Sequence, residues 1–102
     1  MIFVVAMLEV QAGKRSELLK RMRQLVPHVR AEKGCLDYTP TIDAPTNLKA
    51  QAATGDNVVT LVEKWEDAKA LEDHFKTPHM VQYMEDVKNL IVGRKVFILQ
   101  PA

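Results

Sequence analysis

Histidine is the side chain whose ordinary pKa lies nearest neutrality, so any proton-transfer chemistry in this chain points first to His28, His74 and His79. His74 follows Trp65 at a distance that lets a strand end and a helix turn face one cavity, and Glu63 shares a strand face with the tryptophan. A carboxylate buried on that face would have a raised pKa and could shuttle a proton or orient His74; the plainer alternative is an ion pair at a strand edge or between subunits. Trp65 can stack on a flat ligand and offer its indole N–H to an oxygen, or simply fill core. His79, in Thr77-Pro78-His79, falls in the first turn of a helix, where the dipole disfavours a protonated ring and suits an acceptor or a fold-organising hydrogen bond. Tyr38 can close a pocket or bind a ligand oxygen, or belong to the core of its strand face. His28 lies in a basic helix without a matching carboxylate or histidine spacing and is assigned no role. The three histidines make no HxxxH pair and no acidic cluster completes a ligand set, so no metal is expected.

These residues must be positioned by regular elements. Ile2 to Val10 is apolar on both parities and rich in β-branched types, which predicts a strand covered on both faces. After Gly13, Leu18, Met22, Leu25, Val26 and Val29 recur at helical spacing, with a kink or break expected at Pro27 and a last helical stretch ending near Gly34. Cys35 to Ile42 alternates, placing Leu36, Tyr38, Pro40 and Ile42 on one side; Pro40 predicts an edge strand or a bulge there. Asp43 to Asn57 is a long flap-like loop, mobile or functional. Val58 to Trp65 forms the next strand, with Val59, Leu61, Glu63 and Trp65 on one face. Asp67 caps a short helix bearing Leu71 and Phe75, and Thr77-Pro78 opens another whose stripe of Met80 or Val81, Met84, Val87 and Ile91 ends at Gly93. Met22, Met80 and Met84 read as core filler. Lys95 to Gln100 is the last strand. The order predicts an α+β, ferredoxin-like βαββαβ fold with one four-stranded antiparallel sheet and helices on one face. The other sheet face should meet the same face of a second copy, giving a C2 homodimer.

The chain has 102 residues, about half of them apolar, which fits one domain spanning 1–102 and excludes a wholly disordered chain. A formal charge of +1 gives no field suited to nucleic acid or to a membrane surface; a small neutral partner fits better. Cys35 is the only cysteine and belongs to no CxxC pair, so a reducing cytoplasm is the expected location. The apolar run Met1 to Leu8 ends at Glu9 without preceding basic residues, too short to span a bilayer and unlike a signal peptide.

The elements Glu63-x-Trp65, Ala70-Leu71-x-x-His74 and Thr77-x-His79, preceded by Gly34-Cys35-Leu36-Asp37-Tyr38 and Asp43, resemble the antibiotic biosynthesis monooxygenase domain family, including its small quinol-monooxygenase-like members. The resemblance runs from the first strand to the last. It implies a dimer of ferredoxin-like subunits (a dimeric α/β-barrel), each with an apolar pocket between sheet and helices. It also implies oxidation of a phenol or quinol by molecular oxygen with no metal or flavin cofactor. Such a reaction needs a base with a pKa near neutrality and a dry cavity around the developing anion. His74 is the candidate base, Trp65 its catalytic partner, and Tyr38, Glu63 and His79 the candidate substrate-binding residues. The haem-degrading relatives carry an asparagine on the first strand, where this chain has Val4, Ala6 and Leu8, so haem degradation fits less well. Two further alternatives stay open: a non-oxidative, isomerising enzyme acting on a small carbonyl or sugar-like metabolite through Glu63, His74 and His79, and a dimer that binds a ligand without turning it over.

Overall fold

A computed structural model describes residues 1–102. The apolar N-terminal run forms β1 (Ile2–Val10), followed by α1 (Arg15–Arg30), β2 (Cys35–Thr41), β3 (Val58–Trp65), α2 (Ala68–Phe75), α3 (Pro78–Val87) and β4 (Ile91–Leu99). The strands make one antiparallel sheet in the order β2-β3-β1-β4, the α+β, ferredoxin-like arrangement expected. β1 is paired along both edges, but only its even-numbered face is covered by helices; Phe3, Val5 and Met7 lie on the opposite face and are only partly buried, so the expected cover on both faces is not supplied within the chain. Val4, Ala6, Leu8 and Val10 face the helices together with Val59, Leu61, Glu63 and Trp65 of β3. Against them α1 lays Leu18, Met22, Leu25, Val26 and Val29, all buried. Each such side chain contributes roughly 1.5–3 kcal/mol by leaving water.

The register sets two rows across the helix-facing side. Tyr38 pairs with Glu63, Glu63 with Val4 and Val4 with Ile98; farther along, Val59 pairs with Leu8 and Leu8 with Arg94. Four residues along β1 separate the rows, about 13 Å at the usual strand rise.

Several expectations need correction. α1 runs through Pro27 to Arg30 without a break. Pro27 and Arg23 both lie on the exposed face, so the carbonyl that loses its donor meets water rather than core. β2 is an edge strand, as Pro40 suggested, but its register shifts between Cys35 and Asp37, and Leu36 swings out to become about half exposed. The last strand begins at Ile91 rather than Lys95, so Ile91 belongs to β4 and not to the α3 stripe. Val81 and Met84 are exposed, leaving Met80 and Val87 as the buried positions of α3. The 43–57 loop is tied down at its ends: the Asp43 carboxylate accepts from the Thr54 amide and hydroxyl (2.8 and 2.7 Å) and from the Gly55 amide (3.0 Å).

Two helix caps match the sequence. Asp67 accepts from the Ala70 amide at 2.8 Å, and Thr77 accepts from the Met80 amide with Pro78 in the first turn. These caps fix α2 and α3 and so aim His74 and His79. Gly34 closes the same region from the other side. It has φ +86°, and a Cβ built on it would stand 2.5 Å from the Ala70 Cβ, so only glycine lets the α1–β2 connection approach α2 this closely. No helix is long and apolar enough to cross a membrane.

Candidate active site

Between the sheet and α2–α3 lies an apolar cavity of about 90 Å³. Val4, Ala6 and Leu8 form its floor, and its polar lining is confined to Tyr38, Glu63, His74, Tyr83 and Arg94. Phe75 and Met84, each nearly half exposed, stand at its mouth. A larger open groove of about 400 Å³ lies beside Glu32, Glu66, Asp67 and Lys69. Its walls are charged with both signs and solvated, so the dry cavity is the better ligand site.

His74 comes from the last turn of α2 and is 1% exposed. Its Nδ1 lies 2.9 and 3.0 Å from the two carboxylate oxygens of Glu32, while its Nε2 has no hydrogen-bond partner in the chain. Burial pushes its pKa below the usual histidine range, against the hydrogen bond and charge of Glu32, which act the other way. At pH 7 the ring is therefore neutral, and Nδ1–H donates to the carboxylate. Trp65, fully buried, tilts its ring 4.7 Å from the His74 imidazole, and Tyr38 stands at 5.6 Å.

The indole N–H of Trp65, expected to meet a substrate oxygen, donates instead to Glu63 at 2.9 Å. Trp65 thus bears on the cavity through the His74 ring it packs against and through Glu63, not as a free donor. Of the two alternatives for Glu63 the structure shows the buried carboxylate, and burial raises its pKa to about 7, with the Trp65 hydrogen bond opposing and the Glu32 charge adding. A carboxyl held there can take up or release a proton near neutrality. The Tyr38 hydroxyl is driven up chiefly by burial and next by the Glu63 charge, so it stays protonated.

His79 reaches the same cluster from the first turn of α3, with Nε2 2.7 Å from Glu32. It does not border the cavity. His28, assigned no role from the sequence, stacks on the His79 ring at 5.8 Å, so all three histidines converge on one side of the fold. Of the five predicted site residues, Tyr38, Glu63 and His74 line the cavity, Trp65 packs behind His74, and His79 backs the cluster through Glu32.

Glu32 was not foreseen. It lies in the short α1–β2 connection, 42 and 47 residues from the histidines it joins, and no local motif marks it; a charged side chain just before the helix-closing Gly34 was the only signal available. Tyr83 and Arg94 were missed as well. The Tyr83 hydroxyl is buried without a partner in the chain, and burial raises its pKa to about 12.

The antibiotic biosynthesis monooxygenase family model matches residues 1–86. The chain is 35% identical over 103 residues to "Probable quinol monooxygenase YgiN" of Escherichia coli K12, covering 99% of this chain and 98% of that protein. The crystal structure of PA3566 from Pseudomonas aeruginosa superposes with a TM-score of 0.81 at 26% identity, over 99% of this chain and 93% of that one. Rv0793 from Mycobacterium tuberculosis, at 24% identity and a TM-score of 0.80 over 99% and 94% of the two chains, shares the fold.

Proposed function

This chain belongs to the antibiotic biosynthesis monooxygenase family, and we propose on that premise that it oxidises a quinol or another electron-rich aromatic molecule with molecular oxygen, without metal or flavin. The observation that carries the reading is His74: a buried, neutral imidazole with Nδ1 held and Nε2 unpaired, bordering an apolar cavity between the rings of Trp65 and Tyr38. Nε2 takes the phenolic proton and leaves the electron pair on the ring oxygen, which raises the ring's power to reduce oxygen. The surrounding apolar walls keep water from the anion. The ring supplies every electron: a hydroquinone plus O2 becomes a hydroxyquinone plus water, with one oxygen atom inserted and the other reduced.

A single aromatic ring occupies a cavity of about 150 Å³ in a well-studied engineered case, so the 90 Å³ space must widen. Phe75 and Met84 at the mouth are the side chains free to move outward. A C2 homodimer belongs to the same reading. Phe3, Val5 and Met7 of β1, Val62 of β3, and Phe97 and Leu99 of β4 form one apolar surface on the sheet face away from the helices, with Val62, Phe97 and Leu99 well exposed. A second copy would cover it by an isologous contact. The free thiol of Cys35 fits a reducing cytoplasm.

The test is oxygen uptake by metal-stripped protein on a panel of hydroquinones, catechols and naphthols, with autoxidation subtracted and His74→Ala alongside. Saturable uptake that falls by roughly 10²–10⁴-fold in the variant is expected. Equal rates in both proteins would overturn the reading. Turnover that persists without oxygen would favour an isomerising enzyme, a reading that rests on Glu63 and His74 sharing the cavity with pKa values pushed toward each other.

A further inference from the structure

We propose that Glu32 is the positioning residue of this site: shared between His74 Nδ1 and His79 Nε2, its carboxylate holds His74 in the tautomer whose unprotonated Nε2 serves the cavity. The inference rests on the proposed role of His74 as the base. Free imidazole has no strong reason to keep its proton on Nδ1, and a ring with the proton on Nε2 would be a donor where a base is needed. A carboxylate with both oxygens within 3.0 Å of Nδ1 selects the useful form. It then offsets the positive charge that His74 acquires when Nε2–H forms and the substrate O–H bond breaks.

The backbone holds Glu32 for this task. Its amide donates to the Val29 carbonyl at 2.9 Å, and its carbonyl accepts from the Cys35 amide at 3.2 Å. The side chain is only 10% exposed. His79 Nε2 lies 2.7 Å from Oε2, the oxygen that also stands 2.9 Å from His74 Nδ1, so the group cannot rotate away from His74 without breaking another bond. The ionisable side chains in contact with the Glu32 carboxylate are His74 and His79; Lys33, Glu66, Asp67, Lys69 and Asp73 share the open groove beside it, and its charge is felt by Glu63, Tyr38 and Cys35. A purely structural Glu32 would tie the α1–β2 connection to α2 and α3 and do nothing to the tautomer.

The experiment is ¹⁵N NMR of the histidine rings in the intact protein at a pH where His74 is neutral, comparing the native chain with Glu32→Gln and His79→Gln. Kinetics on the best ring substrate accompany it. In the native chain, the His74 proton is expected mainly on Nδ1. In Glu32→Gln, whose carboxamide can donate to Nδ1, the proton moves substantially to Nε2, and kcat falls by roughly 10²-fold with KM little changed. His79→Gln keeps the tautomer and loses far less. A native His74 protonated mainly on Nε2 overturns the proposal, and that measurement needs no variant to fold. An unchanged tautomer in Glu32→Gln also overturns it. The spectra need no substrate, so a confirmed tautomer with no oxidation of any ring compound would sink the monooxygenase reading while leaving Glu32 in its place.

Discussion

At the α2 end of the cavity Trp65, Glu63, His74 and Glu32 are tied together within one chain: Trp65 donates to Glu63, and His74 and His79 share Glu32. At the β4 end the Tyr83 hydroxyl has no partner, and Val96 and Ile98, on the helix-facing side of β4, stay about half exposed because no helix reaches them. The first end has a fixed geometry suited to chemistry, where a misplaced proton matters. The second is unfinished and can adapt to a substrate or to a second copy of the chain. The largest test of this difference sets two substitutions of apolar residues side by side. Leu71→Ala, at a 5%-exposed position of α2, should lower unfolding stability by roughly 2–5 kcal/mol. Phe97→Asp, on the 47%-exposed outer face of β4, should leave the chain folded and shift the sedimentation of the proposed dimer to that of a monomer. A Phe97→Asp protein that sediments as the native one does would remove the sheet face from consideration as the dimer contact.

Glu63 tests the closed end by pH. Burial holds its carboxyl at about 7 in the folded chain against an ordinary 4.5. Between those values the folded state keeps a proton that the unfolded state has lost, so the group's contribution is full below 4.5 and is lost as pH rises through 7. Glu63→Gln keeps an oxygen to accept from Trp65 and has nothing to ionise. Urea unfolding should therefore show the variant gaining on the native chain across this range, by up to about 3 kcal/mol at the alkaline end. Parallel pH profiles would mean that Glu63 titrates normally and that the closed end is wetter than its geometry suggests.

Most of this fold was legible in the sequence because its signals are local. The α1 stripe, the alternation of β3 and the caps at Asp67 and Thr77 each lie within one element, and the structure reproduces them. Where the pattern failed, the cause was context. Pro27 is tolerated because it faces water, and the β2 bulge turns Leu36 outward against its parity. Ile91 continued the α3 periodicity by coincidence and pairs with Val10 in the sheet. The site divides the same way. Glu63, Trp65 and His74 were readable from one strand face and one helix turn, whereas Glu32 and Tyr83 are joined to them only by the chain's path.

Gly34 links the two halves of the closed end. Gly34→Ala forces a side chain into the left-handed region, at roughly 1–2 kcal/mol, and drives its Cβ against Ala70. The expected result is a loss of about 2 kcal/mol or more in stability, together with weaker coupling of His74 to Glu32, read as a shifted His74 ring resonance. Adding Ala70→Gly should relieve the contact and recover the resonance, but not the backbone strain. If the double variant behaves as the single one does, the close approach is not what aligns α2 with Glu32.

Tyr83 gives the smallest effect and the sharpest one for the open end. Its hydroxyl is buried at the cavity wall with nothing in the chain to bond, which costs the folded state roughly 1–3 kcal/mol of unmet hydrogen bonding. Arg94 lies close enough to lower the pKa of Tyr83, though burial outweighs it, so this corner holds a neutral donor beside a cation. A ring carrying a second oxygen would satisfy both. Tyr83→Phe should therefore stabilise the free protein by about 1 kcal/mol and raise KM severalfold for a two-oxygen ring substrate, while leaving KM for a mono-phenol unchanged. Stability and affinity moving in opposite directions is what a residue kept for recognition predicts. A variant that is less stable, or whose KM rises equally for both substrates, would show that the hydroxyl serves the fold.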